Sequence, residues 1–289
     1  MSGFVSSLAP LPALLIEPIV RTALVEDLGR AGDITTANVV SPGVRARAVI
    51  AARQPGVIAG LDCVAVAFRL IDPEVELAIH REDASRIADG DEIATVVGPA
   101  RGILTAERVA LNFLCHLSGI ATATAGLVEA VCGHKAKITC TRKTTPGLRV
   151  LEKLAVRAGG GVSHRFGLDD GILIKDNHIV AAGGIAVAVA RARRAIGHMV
   201  KIEVEVEALD ELEQALAAGV DAVLLDNMRP AMLAEAVAMI DRRMFVEASG
   251  RITRETAAEV AETGVDLMSV GWITHSAAAL DLGLDFLPV

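Results

Sequence analysis

From residue 137 onward, short apolar runs alternate with alanine-rich stretches, and this alternation limits the fold more than any other feature. The runs are residues 137–141, 172–174, 202–206, 222–225, 245–247 and 267–270. The last four recur at roughly 20 to 25 residues, the period of a strand–helix unit in a barrel. Runs this short and this apolar suit parallel strands covered by helices. Six strands are clear, and residues 160–162 offer a seventh. The expected fold class is α/β, with an irregular parallel β/α barrel of fewer than eight strands.

The earlier part of the chain reads differently. Ile16, Val20, Leu24 and Leu28 recur at helical spacing, and Pro18 is expected in the first turn of that helix. Residues 45–49, 75–80 and 92–97 look like short strands. A helix is expected over 61–71, and a turn at Ala88-Asp89-Gly90-Asp91. This pattern reads as a small α+β domain, and a long helix over 103–131 leads out of it. The expected division is residues 1–115 for the N-terminal helix and α+β domain, and 116–289 for the barrel. The extreme C-terminus is expected to pack back on the N-terminal domain.

Charge separates the classes of function. Of 289 residues, 52% are hydrophobic, and net charge is −8. Yet between Lys135 and Lys175 nine Lys/Arg face three Asp/Glu. A cationic island in an acidic chain points to one small anionic ligand and away from nucleic acid. The uncharged stretch 109–128 is long enough to span a bilayer, but it carries Asn112, His116, Ser118, Thr122 and Thr124, so no membrane span is expected. Pro10 and Pro12 interrupt the early apolar residues, which do not read as a signal peptide. Cys63, Cys115, Cys132 and Cys140 form no C-x-x-C pair. Reduced thiols and a cytoplasmic location are expected.

Each predicted strand ends in polar or glycine chemistry, and in a β/α barrel those ends open on one face. The ends are Arg142-Lys143, Lys175-Asp176-Asn177-His178, Glu205 and Glu207, Asp226-Asn227, Ser249-Gly250 and Gly271. Arg142, Lys143, His164 and Arg165 can clamp carboxylates or phosphates; as scattered cations they could equally be solvated surface. The triplet Gly159-Gly160-Gly161 is entropically costly unless the chain must approach something closely, and this favours the anion site. Lys201, Glu203, Glu205 and Glu207 share one face of their strand. Glu205 is expected in the barrel mouth, with a Lys–Glu pairing inside the barrel as the alternative. Asp226 is either a helix cap or a ligand for metal or sugar hydroxyls. Ser249, Gly250 and Gly271 suit phosphate binding by main-chain N–H groups, or are ordinary turn residues. Arg108 alone reads as surface. Asn112, His116 and Trp272 read as packing or capping residues.

The segments Thr141-Arg142-Lys143-Thr144-Thr145-Pro146-Gly147-Leu148-Arg149, Gly159-Gly160-Gly161, His164-Arg165 and Leu173-Ile174-Lys175-Asp176-Asn177-His178 closely resemble the quinolinate phosphoribosyltransferase family. Leu104-Thr105-Ala106-Glu107-Arg108, Glu203-Val204-Glu205-Val206, Leu225-Asp226-Asn227 and Glu247-Ala248-Ser249-Gly250 support the resemblance, which runs from about residue 24 onward. Three positions depart from the family pattern: Cys140, Ser163 and Leu154. The resemblance implies an N-terminal open sandwich, the irregular barrel and a homodimer. It implies transfer of phosphoribosyl from 5-phosphoribosyl-1-pyrophosphate to quinolinate, with Mg²⁺ as cofactor, giving nicotinate mononucleotide, pyrophosphate and CO₂.

The resemblance also implies residue roles. Arg142, His164, Arg165 and Arg108 of the partner subunit would hold quinolinate carboxylates. Lys143 and Lys175 would approach substrate and pyrophosphate. Glu205 and Asp226 would hold ribose hydroxyls and Mg²⁺, and Ser249, Gly250 and Gly271 the 5′-phosphate. Other readings are a barrel phosphoribosyltransferase acting on a monocarboxylate such as nicotinate, a transport-associated relative, and a non-catalytic anion-binding protein. The intact Lys175-Asp176-Asn177-His178 argues against the second, and the acids Glu205 and Asp226 against the third.

Overall fold

The computed structural model of the protein describes residues 9–287; the outer limits expected for the two domains, residues 1 and 289, lie outside that range. The chain packs as two compact units. One comprises residues up to Ala125, Thr145–Gly160 and the chain from Ser276 on. The other comprises Gly126–Thr144 and Gly161–His275. The expected boundary at 115/116 falls inside a single long helix.

The first part of the chain runs α1 (Ala13–Leu28), α2 (Ile34–Val39), β1 (Arg45–Ala52), β2 (Gly56–Val57), α3 (Leu61–Ile71), β3 (Glu76–Ile79), β4 (Arg86–Ile87), β5 (Glu92–Pro99) and α4 (Ala100–Ala130). Ile16, Val20 and Leu24 bury the inner face of α1. The helix begins before that apolar period does, because Leu14 and Leu15 are helical but exposed. Pro18 therefore lies inside α1, beyond the first turn where it was expected. The α3 helix occupies the predicted span, and its first main-chain N–H groups, Gly60 and Leu61, donate to the Asp83 carboxylate at 3.0 and 3.2 Å.

The α4 helix is long and apolar enough to cross a membrane, but most of its apolar span is buried in protein. Its hydroxyls are committed to internal partners. Ser118 accepts the Ala59 N–H at 3.0 Å, Thr122 accepts the Val57 N–H at 2.9 Å, and Thr124 donates to the Ile120 carbonyl at 2.8 Å. These are the bonds of a core helix.

The chain continues through β6 (Lys137–Thr139), α5 (Arg149–Ala158), β7 (Ile172–Ile174), α6 (Asp176–Ala182), α7 (Ile185–Ala195), β8 (Ile202–Val206), α8 (Leu209–Ala218), β9 (Ala222–Asp226), α9 (Pro230–Ile240), β10 (Phe245–Ser249), α10 (Ala257–Glu262), β11 (Leu267–Ser269), α11 (Trp272–His275) and β12 (Leu282–Phe286). In the first unit, β12, β1, β5 and β3 form one antiparallel sheet in that order. The α5 helix belongs to this unit. Its wholly buried Glu152 accepts from His116 Nε2 at 2.9 Å and from the Thr145 N–H at 3.1 Å.

The second unit is built on six parallel strands in the order β6-β11-β10-β9-β8-β7. The expected seventh strand is one parallel bridge, Thr139 to Val162, extended by Thr139 Oγ1 donating to the Val162 carbonyl at 2.9 Å. On β8, Ile202, Val204 and Val206 are buried, while Glu203 and Glu205 share the opposite face and are partly buried. Lys201 does not join them. It pairs with Asp221 at 3.1 Å, where the strands begin.

Candidate active site

One cavity of about 350 Å³ opens at the C-terminal ends of the barrel strands. It is lined by Arg142 and Lys143 after β6, His164 and Arg165, Lys175 after β7, Glu205 on β8, Asp226 on β9 and Ser249 on β10. Strand parity puts these side chains here: Glu205, for example, alternates with buried valines on β8. Eight of the proposed site residues thus share one wall system.

The other proposed residues stand elsewhere. Gly250 and Gly271 lie just beyond β10 and β11. Gly250 has φ +109°, and a Cβ there would fall 2.4 Å from Asn227 Oδ1 and 2.8 Å from the Asn227 nitrogen. The main chain after β10 therefore passes against Asn227, whose N–H donates to the Ser249 carbonyl at 2.9 Å. A Cβ on Gly271 would lie 3.0 Å from Lys143 Cδ, so Gly271 leaves room for the lysine stem. Arg108 is exposed on α4 in the first unit.

Within the Gly159-Gly160-Gly161 triplet, the close approach at Gly159 is to protein and not to an anion. A Cβ on Gly159 would meet the Ala121 carbonyl oxygen at 2.3 Å and Thr124 Cβ at 2.7 Å, so what approaches closely is α4.

Local bonds shape the cavity. Thr274 Oγ1 donates to the Lys143 carbonyl at 2.8 Å, and the Lys143 N–H donates to Thr141 Oγ1 at 3.0 Å. Lys175 caps α6, its N–H donating to His178 Nδ1 at 3.0 Å, while its Nζ donates to Glu205. Asn227 Nδ2 donates to Asp226 Oδ2 at 2.6 Å. Arg165 Nη1 donates to the Gly171 carbonyl at 3.0 Å. Burial, and then the neighbouring charge of Arg142, lower the pKa of Arg165. Cations that repel one another favour an anion between them.

Beneath the cations lies an arrangement that the residue pattern did not reveal. His164 Nε2 faces Glu203 Oε2 at 3.2 Å and Glu247 Oε2 at 3.4 Å. Burial pulls the His164 pKa down and the two carboxylates raise it above its ordinary value, while the Arg165 main-chain N–H, 2.7 Å from Nδ1, keeps that nitrogen an acceptor. Burial, with Glu247 adding to it, raises the pKa of Glu203. The available signal was Glu247 itself, a charge in the run Phe-Val-Glu-Ala-Ser, on the same strand face as Ser249.

Comparison with known proteins agrees with this geometry. Residues 33–118 match the model of the quinolinate phosphoribosyl transferase N-terminal domain, and residues 120–285 that of the C-terminal domain. A relative from Mycobacterium leprae, nicotinate-nucleotide pyrophosphorylase (carboxylating), is 47% identical over 92% of this chain and 95% of its own. A probable nicotinate-nucleotide pyrophosphorylase (carboxylating) from Bacillus subtilis is 43% identical over 94% and 93%. The solved nicotinate-nucleotide pyrophosphorylase of Francisella tularensis superposes with a TM-score of 0.93 at 39% identity, covering 98% of this chain and all of its own. With both domains matched in order over nearly its whole length, the chain belongs to the quinolinate phosphoribosyltransferase family.

Proposed function

We propose that the strand-end cavity is where this enzyme carries out its family's reaction. The reaction is transfer of phosphoribosyl from 5-phosphoribosyl-1-pyrophosphate to quinolinate with loss of CO₂, a step of de novo NAD biosynthesis. The observation that carries the assignment is the grouping of Arg142, Lys143, Arg165 and Lys175 with Glu205 and Asp226 around one cavity. Quinolinate brings two carboxylates, and each phosphate of the other substrate adds roughly −1.5 to −2. Arg142 and Arg165 suit the planar carboxylates, and Lys143 and Lys175 the phosphates. His164 completes the quinolinate wall. Ser249, with Gly250 and Gly271, suits the 5′-phosphate.

In the transfer, the bond from the anomeric carbon to pyrophosphate breaks and the quinolinate nitrogen forms the new bond. Positive charge develops on the ribose, and Glu205 and Asp226 stand where they can offset it. Lys175 donates to Glu205; substrate phosphates would compete for that lysine and leave the carboxylate to the ribose. Ribosylation leaves a positive ring nitrogen. The bond between C2 and its carboxyl carbon then breaks, its electron pair stays on C2 beside that nitrogen, and a proton replaces the departing CO₂. The protein positions and neutralises; it forms no covalent bond.

Mg²⁺ fits the residues present. Glu205 and Asp226 are hard oxygen donors, each with one oxygen engaged by Lys175 or Asn227, and their second oxygens would hold the ion together with substrate phosphates. Bound there, Mg²⁺ would neutralise charge on the leaving pyrophosphate. The enzyme works as a cytoplasmic homodimer in which Arg108 of the partner subunit completes the quinolinate site, with neither nucleic acid nor membrane as partner. The test is CO₂ release with phosphoribosyl pyrophosphate and Mg²⁺: quinolinate should support it, and nicotinate should not be ribosylated. Equal turnover of nicotinate would overturn the dicarboxylate assignment.

A further inference from the structure

Behind the quinolinate wall, Glu247 is 1% exposed, and its Oε1 has no hydrogen-bond partner. Its strand neighbours Val246 and Ala248 are buried and apolar. A carboxylate in such a place costs stability, and a well-packed apolar side chain would cost less. Something other than stability keeps it there.

The ring it faces stands between two open spaces. His164 lines the strand-end cavity and also a second cavity of about 550 Å³ near the strand beginnings, where Ile172, Lys201, Ala222, Phe245 and Leu267 form the wall. Arg165 and Glu247 line both cavities as well. With open space on either side, packing alone does not fix the imidazole. Three bonds do. Glu203 from β8 and Glu247 from β10 converge on Nε2 from either side of β9, and the Arg165 main-chain N–H donates to Nδ1 at 2.7 Å.

His164, Glu203 and Glu247 bring their donor atoms within 4.8 Å of one another, close enough to hold a metal ion. The bond at Nδ1 decides against that. A ring nitrogen that accepts an N–H has its lone pair engaged, so the ring proton sits on Nε2, which then has no lone pair for a metal.

We propose that Glu247 is a positioning residue of the quinolinate subsite. With Glu203 it anchors His164, and through Nδ1 the anchored ring fixes the main chain at Arg165, so that ring and guanidinium meet the substrate in one arrangement. The inference rests on the assignment of Arg165 to quinolinate, and the experiment separates the two.

Glu247→Gln keeps the size of the side chain and removes its charge. The variant should fold with an unfolding temperature no lower than that of the parent. The KM for quinolinate should rise roughly 10- to 100-fold, the range expected when a clamp is displaced by a fraction of an ångström to an ångström. The KM for phosphoribosyl pyrophosphate should stay within about twofold, and Glu247→Asp should recover part of the loss. An unchanged quinolinate KM, or an equal rise in both KM values, would overturn the proposal. If Arg165→Ala leaves quinolinate affinity intact, the subsite assignment has failed; if it abolishes affinity while Glu247→Gln does not, only the positioning role has. Should Glu247→Gln not fold, ¹⁵N shifts of the parent's histidines decide: His164 should carry its proton on Nε2, and the Nδ1–H tautomer would refute the anchor.

Discussion

Arg142 and Arg165 work against each other until an anion arrives. Burial, and then the charge of Arg142, lower the pKa of Arg165, and on the proposed assignment quinolinate would offset that repulsion. A hydrogen bond to a charged group contributes about 1.5–3 kcal/mol. Arg165→Ala or Arg142→Ala should therefore weaken quinolinate binding roughly 10- to 100-fold by calorimetry, with circular dichroism unchanged; retained affinity in both variants would place the clamp elsewhere. These cations were legible in the sequence because strand-end position and charge density are local properties. Their anchor was less so. Glu203 and Glu247 lie 44 positions apart and meet only because β8 and β10 flank β9. Cys140 is wholly buried, and Ser163 and Leu154 do not line the strand-end cavity, so the three departures from the family pattern leave its charges untouched.

At the scale of elements, periodicity placed α3, β7 and β8 on their predicted spans and the other barrel strands within two residues at either end. It failed where the cause was tertiary. The Gly159 triplet counted toward the anion site, yet α5 packs in the first unit, with Gly159 against α4. The run 282–286 received no strand assignment, since its pairing with β1 is remote in sequence. Gly119 marks how tightly the segment leading to β12 crosses α4: a Cβ there would fall 2.1 Å from the Ala278 carbonyl oxygen. Gly119→Ala should lower stability by about 1–3 kcal/mol, measured by urea denaturation. It should also hasten proteolytic clipping near residues 276–281. A variant as stable as the parent would show that this segment shifts freely.

For the whole molecule, the proposed homodimer with Arg108 serving the partner subunit's site predicts a distinctive complementation. Arg108→Ala and Lys175→Ala should each be nearly inactive, the first because its guanidinium serves the other subunit's site. Mixed in equal amounts and allowed to exchange, the variants should form about half mixed dimers, each with one intact site of two, so that roughly a quarter of parental activity returns. Differently tagged chains verify the exchange, and CO₂ release reads the outcome. Mixed dimers without activity would refute the assignment of Arg108 to the partner's site.

The position of β12 also bears on how the protein is made. The sheet of the first unit takes its edge strand from residues 282–286, which pair with β1 at 48–52. On the ribosome, β1 and β5 emerge early, and β1 then waits for a partner more than two hundred residues away. At about 5–20 residues per second, that wait is on the order of 10 to 40 seconds. Throughout it the apolar β1 presents an unpaired edge of the kind that recruits other chains. The whole barrel is translated before that edge can close, so the first unit begins folding first and is the last to finish.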